Sequence, residues 1–271
     1  MLDYYVVDAF ADKIFEGNPA GVCILEEWLP SEKMQKIAME NCLSETAFAV
    51  KVSEGNYEIR WFTPKCEIDL CGHATFGTSY VLFRFYETNI KELHFHGLYA
   101  GYQLTVTKND ELLTLDFPKM KLEQLSFESY IEDALGAKPI EVWRSERDLI
   151  CLFDDEKVVV AMNPDLAKIK EFPIGISVFV TAKSTEYDFV ARAFWPKVGI
   201  DEDPVCGSMF CALAPFWKQK LGKAKMVCRQ VSKRGGTVYC EVNGEHVNIS
   251  GKGSLYSKAS ICVDEECCKV F

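Results

Sequence analysis

Two stretches of sequence decide the fold: Cys-Gly-His-Ala-Thr-Phe at residues 71–76 and Cys-Gly-Ser-Met-Phe-Cys at residues 206–211. Each places Cys-Gly at the start of a mostly apolar run, which predicts a helix buried inside a domain. Each run also follows predicted strands and precedes a predicted hairpin. The repetition predicts a duplicated α+β unit with two helix N-termini available to one shared cleft.

The segments around these two helices have the residue patterns of β-strands, with alternating or mostly apolar runs bounded by turn residues. Pro118 and the polar residues after it predict a boundary between the two halves. Asn243-Gly244, between two further strands, predicts a two-residue type I′ turn. The predicted strands include 46–52, 57–63, 103–107 and 112–117 in the first half, and 143–153, 158–162, 178–182 and 189–194 in the second.

The composition is that of an ordinary folded protein. The chain has 271 residues, of which 48% are hydrophobic and 26% charged, so disorder and low-complexity repeats are excluded. A formal net charge of −10 argues against a broad electrostatic grip on nucleic acid. No apolar run reaches the roughly 20 residues of a membrane-spanning helix. We therefore expect neither nucleic acid nor membrane as a partner.

The twelve cysteines include no Cys-x-x-Cys pair. Because the N-terminus lacks the features of a signal peptide, we expect reduced thiols in a cytoplasmic protein. Cys66, Cys71 and His73 do not have the spacing of a zinc site, so no metal is predicted. The absence of glycine-rich nucleotide motifs likewise predicts no nucleotide cofactor.

The two predicted helix starts suit the binding of an anion. A helix N-terminus presents unpaired N–H groups and partial positive charge, and Gly72 and Gly207 let a ligand approach the backbone. Two such ends facing one cleft would hold a carboxylate and stabilise negative charge on an adjacent carbon. The simpler alternative is that both glycines only permit tight turns into the helices.

Cys71 and Cys206 lie where a helix start lowers the pKa of a thiol. Paired across a cleft, the two thiols would serve as opposed bases for racemisation or epimerisation. The alternative is that they are small buried residues at the helix starts.

Three further polar residues are candidates for acid–base chemistry. Glu45 stands in Leu-Ser-Glu-Thr-Ala-Phe at 43–48, where a partly desolvated carboxylate would suit proton transfer near neutral pH. His73 would donate to a substrate oxygen or act as a second acid, and Asp203 would orient a donor. The structural alternatives are a surface glutamate, a structural histidine and an aspartate that stabilises the next helix start. Residues 230–236 either add an arginine to the cleft or form a glycine-rich connection.

With these motifs assembled, the chain resembles the PhzF family of phenazine-biosynthesis-like isomerases, which are related to diaminopimelate epimerase, over essentially its whole length. The matching motifs lie at residues 8–22, 43–48, 67–75, 201–208 and 230–236. The resemblance implies two similar α+β domains, each a mixed sheet wrapped around a central helix, with the active site between them and a homodimer as the usual assembly. The domains would span 1–118 and 119–257, and a C-terminal strand at about 258–271 would return to the first.

The resemblance also implies roles for single residues. Glu45 would be the general acid/base that moves a proton between carbons of a small carboxylate substrate, an unsaturated amino acid, without a cofactor. His73 and Asp203 would surround this substrate. Substrate-binding backbone pockets are implied at Gly72, Gly207 and Ser208.

Two positions depart from the family pattern. Cys206 stands where the family usually has threonine, and Phe210 stands where it often has histidine. Cys71 and Cys206 together resemble the catalytic thiols of diaminopimelate epimerase and proline racemase. Three hypotheses follow: an isomerase with Glu45 as its base, which we favour because its motif is intact; a two-thiol racemase or epimerase; and a catalytically inactive binding protein of the same fold.

Overall fold

The computed structural model describes residues 1–264, and residues 265–271 lie outside the described part of the chain. The described residues form an α+β structure. The α-helices are α1 Ser31–Asn41, α2 Gly72–Phe85, α3 Ser129–Leu135, α4 Glu156–Ala161, α5 Leu166–Lys170 and α6 Phe210–Leu221. The strands are β1 Leu2–Ala9, β2 Asn18–Leu25, β3 Glu45–Ser53, β4 Asn56–Phe62, β5 Glu67–Ile68, β6 Glu92–Gly97, β7 Gln103–Asn109, β8 Leu112–Pro118, β9 Glu123–Leu125, β10 Glu141–Arg144, β11 Asp148–Phe153, β12 Ser177–Lys183, β13 Phe189–Trp195, β14 Ile200–Asp203, β15 Lys225–Gln230, β16 Gly236–Asn243, β17 His246–Gly251 and β18 Gly253–Ile261.

The chain divides into two compact units. Unit 1 is Met1–Asp116 together with the segment that begins at Ser250, and unit 2 is Phe117–Ile249. The returning strand β18 begins at Gly253, earlier than the expected position near 258, because it pairs antiparallel with the whole of β1. The part of the expected strand at 265–271 lies outside the described residues.

Unit 1 is a mixed sheet that packs on one central helix. Its strands pair in the order β18, β1, β2, β3, β4, β6, β7, β8, with β5 also beside β4. The pairs β2–β3 and β4–β6 are parallel and the other pairs antiparallel. α2 packs against β1, β2 and β3, and ten of its fourteen residues are buried. The prediction of an internal helix after Cys71 is confirmed.

Unit 2 repeats this arrangement. Its strands pair in the order β9, β10, β11, β12, β13, β15, β16, β17, with β14 also beside β13. Here β11–β12 and β13–β15 are the parallel pairs, in the same positions as in unit 1. α6 has the same place in the chain order as α2, between β14 and β15, and it packs against β15 and β16 with seven of its twelve residues buried.

The register of the repeated strands also agrees between the units. Glu45, the first residue of β3, lies opposite Ala20 in β2. Ser177, the first residue of β12, lies opposite Asp148 in β11. These pairs therefore occupy equivalent places in the duplicated scaffold, each on strands that precede the central helix of its unit.

The predicted strand at 158–162 is wrong. Its β-branched residues lie instead in α4, Glu156–Ala161. Asp155 caps this helix, because its carboxylate accepts a hydrogen bond of 2.8 Å from the backbone N–H of Lys157. The local cap outweighs the strand preference of the valines.

The hairpin after residue 236 is present, but its turn lies one residue later than predicted. β16 ends at Asn243 and β17 begins at His246, so Gly244 and Glu245 form the turn. Gly244 has φ +58°, whereas Asn243 does not lie in the left-handed region. Glu245, the second central residue, does not have a positive φ, so the turn has the pattern of type II′ and not of the predicted type I′, which has a positive φ at both central residues.

Membrane-spanning length is not reached by any apolar helix within residues 1–264.

Candidate active site

The start of α2 is fixed by a chain of buried hydrogen bonds. Cys71 precedes the helix in an extended conformation, with φ −139° and ψ 108°. Thr75 Oγ1 donates to the carbonyl of Cys71 at 2.7 Å, and Trp61 Nε1 donates to Thr75 Oγ1 at 3.1 Å. The first N–H groups of the helix have no carbonyl partner within it. These bonds therefore fix the position of the first N–H groups of the helix, one of which, that of Ala74, contacts the Cys71 sulfur.

Glu45 brings a buried carboxylate to this helix start. Its side chain lies in unit 1 with only 8% of the residue exposed. Its Oε2 lies 3.2 Å from Nε2 of His73. The contact lacks hydrogen-bond geometry, so within residues 1–264 neither atom has a hydrogen-bond partner. A buried carboxylate oxygen without a hydrogen-bond partner is available to accept a proton.

His73 connects Glu45 to two further residues through its other ring nitrogen. Nδ1 lies 3.5 Å from Sγ of Cys71 and 3.4 Å from Nδ2 of Asn18. Asn18 is the first residue of β2 and is buried, as are Cys71 and His73. The four side chains therefore form one buried cluster inside unit 1.

Burial and neighbouring charge act on His73 in opposite directions. Burial lowers the pKa of the imidazole, whereas Cys71 and Glu45 raise it. The rise is larger than the decrease, so this pKa stands well above its ordinary value of 6.5. We attribute the net rise mainly to the Glu45 carboxylate, since burial raises the pKa of the Cys71 thiol and keeps it neutral.

Glu45, Cys71 and His73 are also residue types that bind metals, and one ligand atom from each lies within 4.8 Å of the others. Their contacts do not fit a common ion, however. Cys71 contacts Nδ1 and Glu45 contacts Nε2, and the lone pairs of these two ring nitrogens diverge. An ion held by either nitrogen would lie on the wrong side of the ring for one of the other ligands. The cluster therefore does not have the geometry of a site at which all three residues bind one metal ion.

In unit 2, residues 203–206 are held by the segment that follows β15. Gln230 Oε1 accepts from the backbone N–H of Cys206 at 2.8 Å, and its Nε2 donates to the carbonyl of Asp203 at 2.6 Å. Ser232 Oγ donates to the carbonyl of Pro204 at 2.7 Å. The sequence motif at 230–236 therefore fixes the path of the chain into α6.

A second buried carboxylate, Asp148, lies near the start of α6. Its oxygens accept hydrogen bonds from Ser177 Oγ at 2.7 Å and from Arg147 Nε at 3.1 Å. Arg147 in turn donates from Nη2 to Ser208 Oγ at 3.0 Å, and its guanidinium lies over the ring of Trp195. This carboxylate is well satisfied and positions an arginine beside Ser208.

Gly207 begins the single 3₁₀ turn that leads into α6. A Cβ built on this glycine would meet no atom within 4 Å, and its φ lies outside the left-handed region. The fold therefore does not require glycine at this position. The open space beside Gly207 would allow a ligand to approach the backbone there.

The expected activation of the two thiols is wrong. Cys71 and Cys206 are both buried, and burial raises the pKa of each above its ordinary value near 9. For Cys206 the nearby Asp203 raises it further. Desolvation outweighs the effect of the helix start at both positions.

The structure thus groups the predicted residues by unit. Unit 1 brings together Glu45, Cys71, Gly72 and His73, and unit 2 holds Asp203, Cys206, Gly207 and Ser208. Four residues near these groups were not predicted to act there. They are Asn18, Arg147, Asp148 and Gln230. Asn18 and Gln230 did stand in the family motifs at 8–22 and 230–236, but no role was predicted for either residue.

The architecture defines the class of protein. A solved structure of a probable proline racemase from Agrobacterium radiobacter covers 97% of this chain with 94% of its own, with a TM-score of 0.61 at 13% identity. This likeness shows the fold alone, the diaminopimelate epimerase-like α+β fold of two similar halves.

The sequence comparisons then define the family. The model of the phenazine biosynthesis-like protein family, PhzC-PhzF, matches residues 7–259. A relative described as an uncharacterized isomerase of Pseudomonas aeruginosa is 44% identical over 96% of this chain and 98% of its own. The crystal structure of a PhzF family protein from Enterococcus faecalis is 45% identical, covers 96% of this chain and 99% of that one, and has a TM-score of 0.92. The chain belongs to the phenazine biosynthesis-like family, and it is an isomerase.

Proposed function

We propose that this protein is a cofactor-independent isomerase that moves a proton between two carbons of a small carboxylate substrate, with Glu45 as the general acid/base. The observation that carries the proposal is the state of Glu45. Its Oε2 is buried, has no hydrogen-bond partner among residues 1–264, and lies 3.2 Å from His73 Nε2. A carboxylate in that state is suited to accept and return a proton.

The proposed reaction is balanced by one proton and one double bond. The Glu45 carboxylate removes a proton from a carbon next to the substrate's unsaturated or carboxyl-bearing group, and the electron pair spreads into that group. Protonated Glu45 then delivers the proton to a second carbon, and the double bond ends in a new position. Substrate and product have the same atoms, so no oxidant, reductant or other reactant is needed.

Negative charge that develops on the substrate needs donors. In unit 1 we propose that the first N–H groups of α2 supply them, since the start of a helix presents N–H groups that have no carbonyl partner within the helix. His73 Nε2, beside Glu45, is a further donor for the carboxylate or for a substrate oxygen. In unit 2 we propose that Gly207 and Ser208 bind substrate atoms and that Asp203 orients the substrate. The open space at Gly207 supports this role.

The test is exchange of substrate hydrogen with solvent. A panel of unsaturated, α-amino and α-hydroxy carboxylates is incubated with the enzyme in D2O and followed by proton NMR. We expect deuterium uptake in at least one acid, and Glu45→Gln should slow it by about 10²–10⁴-fold, the usual contribution of a general acid/base.

Glu87→Gln is the matched control. Glu87 is also a buried glutamate of unit 1, but it accepts a hydrogen bond from Tyr57 and pairs with Lys51. We expect this variant to lose stability and to keep the exchange rate. Unchanged exchange in Glu45→Gln would refute the proposed role of Glu45.

The rival two-thiol route is separated by the same assay. If Cys71 and Cys206 were the two bases, Cys71→Ser with Cys206→Ser would abolish exchange while Glu45→Gln would not. A protein that only binds would show no exchange with any acid, whether or not one of them raised the melting temperature. The homodimer implied by the sequence stays a prediction, which light scattering of the purified protein checks.

A further inference from the structure

In the buried cluster of unit 1, hydrogen-bond donors lie beside one ring nitrogen of His73, and a hydrogen-bond acceptor lies beside the other. Nδ1 faces the amide nitrogen of Asn18 at 3.4 Å and the thiol of Cys71 at 3.5 Å. Nε2 faces the Oε2 of Glu45, at 3.2 Å. The two sides of the ring therefore meet opposite hydrogen-bonding chemistry.

The donor and acceptor inventory of these groups fixes where the ring carries its proton. An amide nitrogen only donates, and a neutral thiol is a weak donor, so both can be satisfied by the lone pair of Nδ1. A carboxylate oxygen only accepts, so the ring nitrogen that faces it is the one that carries a proton and not a lone pair, although the two atoms at 3.2 Å do not have hydrogen-bond geometry. Neutral His73 is therefore the Nε2–H tautomer.

The same proton stays in place if the ring is charged. A second proton would sit on Nδ1, where the Cys71 sulfur accepts it and the Asn18 amide turns its oxygen toward the ring. The titratable groups that contact His73 are Glu45 on β3 and Cys71 before α2, and Asn18 on β2 is uncharged. Both protonation states of His73 keep an N–H on the side of the ring that faces Glu45.

We infer that Asn18 and Cys71 are positioning residues that hold His73 with its protonated Nε2 on the side of the ring that faces Glu45. This inference rests on the proposed function of Glu45 and deepens it. The thiol of Cys71 and the carboxylate of Glu45 are two ends of one buried chain through the same imidazole. Cys71 therefore assists the glutamate and is not an independent base.

The first measurement reads the ring directly in the unmodified protein. The chain contains four histidines, so a protein with 15N-labelled histidine gives few ring signals, and a His73→Gln variant assigns those of His73. We expect Nε2 of His73 to carry a proton across the neutral pH range. A protonated Nδ1 with an unprotonated Nε2 would overturn the inference, whatever the activity.

The second measurement follows the exchange rate in variants at Cys71. Cys71→Ala removes the group on Nδ1 and should slow exchange by about 10- to 100-fold through misplacement of the ring. Cys71→Ser restores a small donor, so we expect it to recover activity to within about threefold of the native rate. If the thiol were itself the base, serine would be as damaging as alanine, because a hydroxyl does not ionise near neutral pH.

Asn18→Asp tests the other contact on Nδ1. A carboxylate there would accept a proton from Nδ1, so the pKa of His73 should rise and the pH–rate profile should shift to higher pH. Cys23→Ser is the control, since Cys23 is buried in unit 1 outside this cluster. A His73 spectrum unchanged by Asn18→Asp and by Cys71→Ala would refute the positioning role.

The outcomes for the two proposals are distinct. If Glu45→Gln leaves exchange intact while Nε2 of His73 is protonated, the proposed function fails and the ring arrangement stands. If Glu45→Gln abolishes exchange while Nε2 is unprotonated, the function stands and the positioning role fails.

Discussion

The starts of the two central helices lie on equivalent strands, but the buried carboxylates beside them differ in position and in hydrogen bonding. α2 follows Cys-Gly-His and α6 follows Cys-Gly-Ser, and equivalent strands lie before each helix. In unit 1 the first residue of β3 is Glu45, beside His73. In unit 2 the first residue of β12 is Ser177, and the buried carboxylate is instead Asp148, on the neighbouring strand.

The difference between the two carboxylates is one of hydrogen bonding. Asp148 accepts from Ser177 and Arg147, whereas Oε2 of Glu45 accepts from none of the residues described. A buried carboxylate that accepts hydrogen bonds contributes to the stability of the fold, whereas one without a partner has no such bonds to lose. The comparison supports the proposal that acid–base chemistry belongs to unit 1 and that unit 2 supplies binding.

Removal of each carboxylate should therefore affect different properties. We expect Asp148→Asn to lower the free energy of unfolding by about 3 kcal/mol, because Arg147 loses a fully buried partner. Glu45→Gln should cost less than about 1 kcal/mol, because Oε2 accepts no hydrogen bond. Urea unfolding of both variants measures the difference. Equal losses would break the distinction between the two carboxylates.

A pair of glycine variants sharpens the binding role of unit 2. Gly207→Ala should leave the stability within about 0.5 kcal/mol of the native value, because the added methyl group meets open space. It should nevertheless lower kcat/KM, since a ligand at the backbone would meet that methyl group.

Gly21→Ala is the matched variant in unit 1. Its Cβ would lie 2.2 Å from the Tyr4 hydroxyl and 2.7 Å from Oγ1 of Thr46, so we expect a loss of about 2 kcal/mol. Thermal unfolding gives the stabilities, and the exchange assay gives the activities. Full activity in Gly207→Ala would contradict substrate contact at this glycine.

The thiols provide the smallest expected difference between the helix starts. Burial raises the pKa of Cys71 and of Cys206, so both should resist iodoacetamide at neutral pH, while the exposed Cys42 and Cys66 react. Peptide mapping by mass spectrometry measures the order of modification. Rapid alkylation of either buried thiol would restore the two-thiol route.

The same thiols set a pH dependence of stability. The unfolded chain loses these protons near the ordinary pKa of 9, while the folded chain retains them to higher pH. The folded state then binds more protons, so the free energy of unfolding should fall as the pH rises above about 9. Urea unfolding at a series of alkaline pH values measures this decline.

The sequence predicted the duplicated helices because Cys-Gly followed by an apolar run is a local signal. It also predicted that Glu45 and His73 are functional residues, which remains a prediction. It missed Asn18 because the turn residues around it are local, whereas its contact with His73 spans 55 positions. It predicted a strand in place of α4 because the consecutive valines favour a strand more strongly than the single capping residue Asp155 favours a helix. A local sequence pattern does not predict contacts between residues that lie far apart in the chain.

The returning strand β18 has a consequence for the order in which the chain folds. Unit 2 is one continuous segment, so all of its strands leave the ribosome before β18 does. β1 is the first strand to be synthesised, and its last partner is among the final residues described. The β1 edge of the unit 1 sheet must therefore stay uncovered until the whole of unit 2 has been synthesised, an interval in which a chaperone or a neighbouring nascent chain competes for that edge.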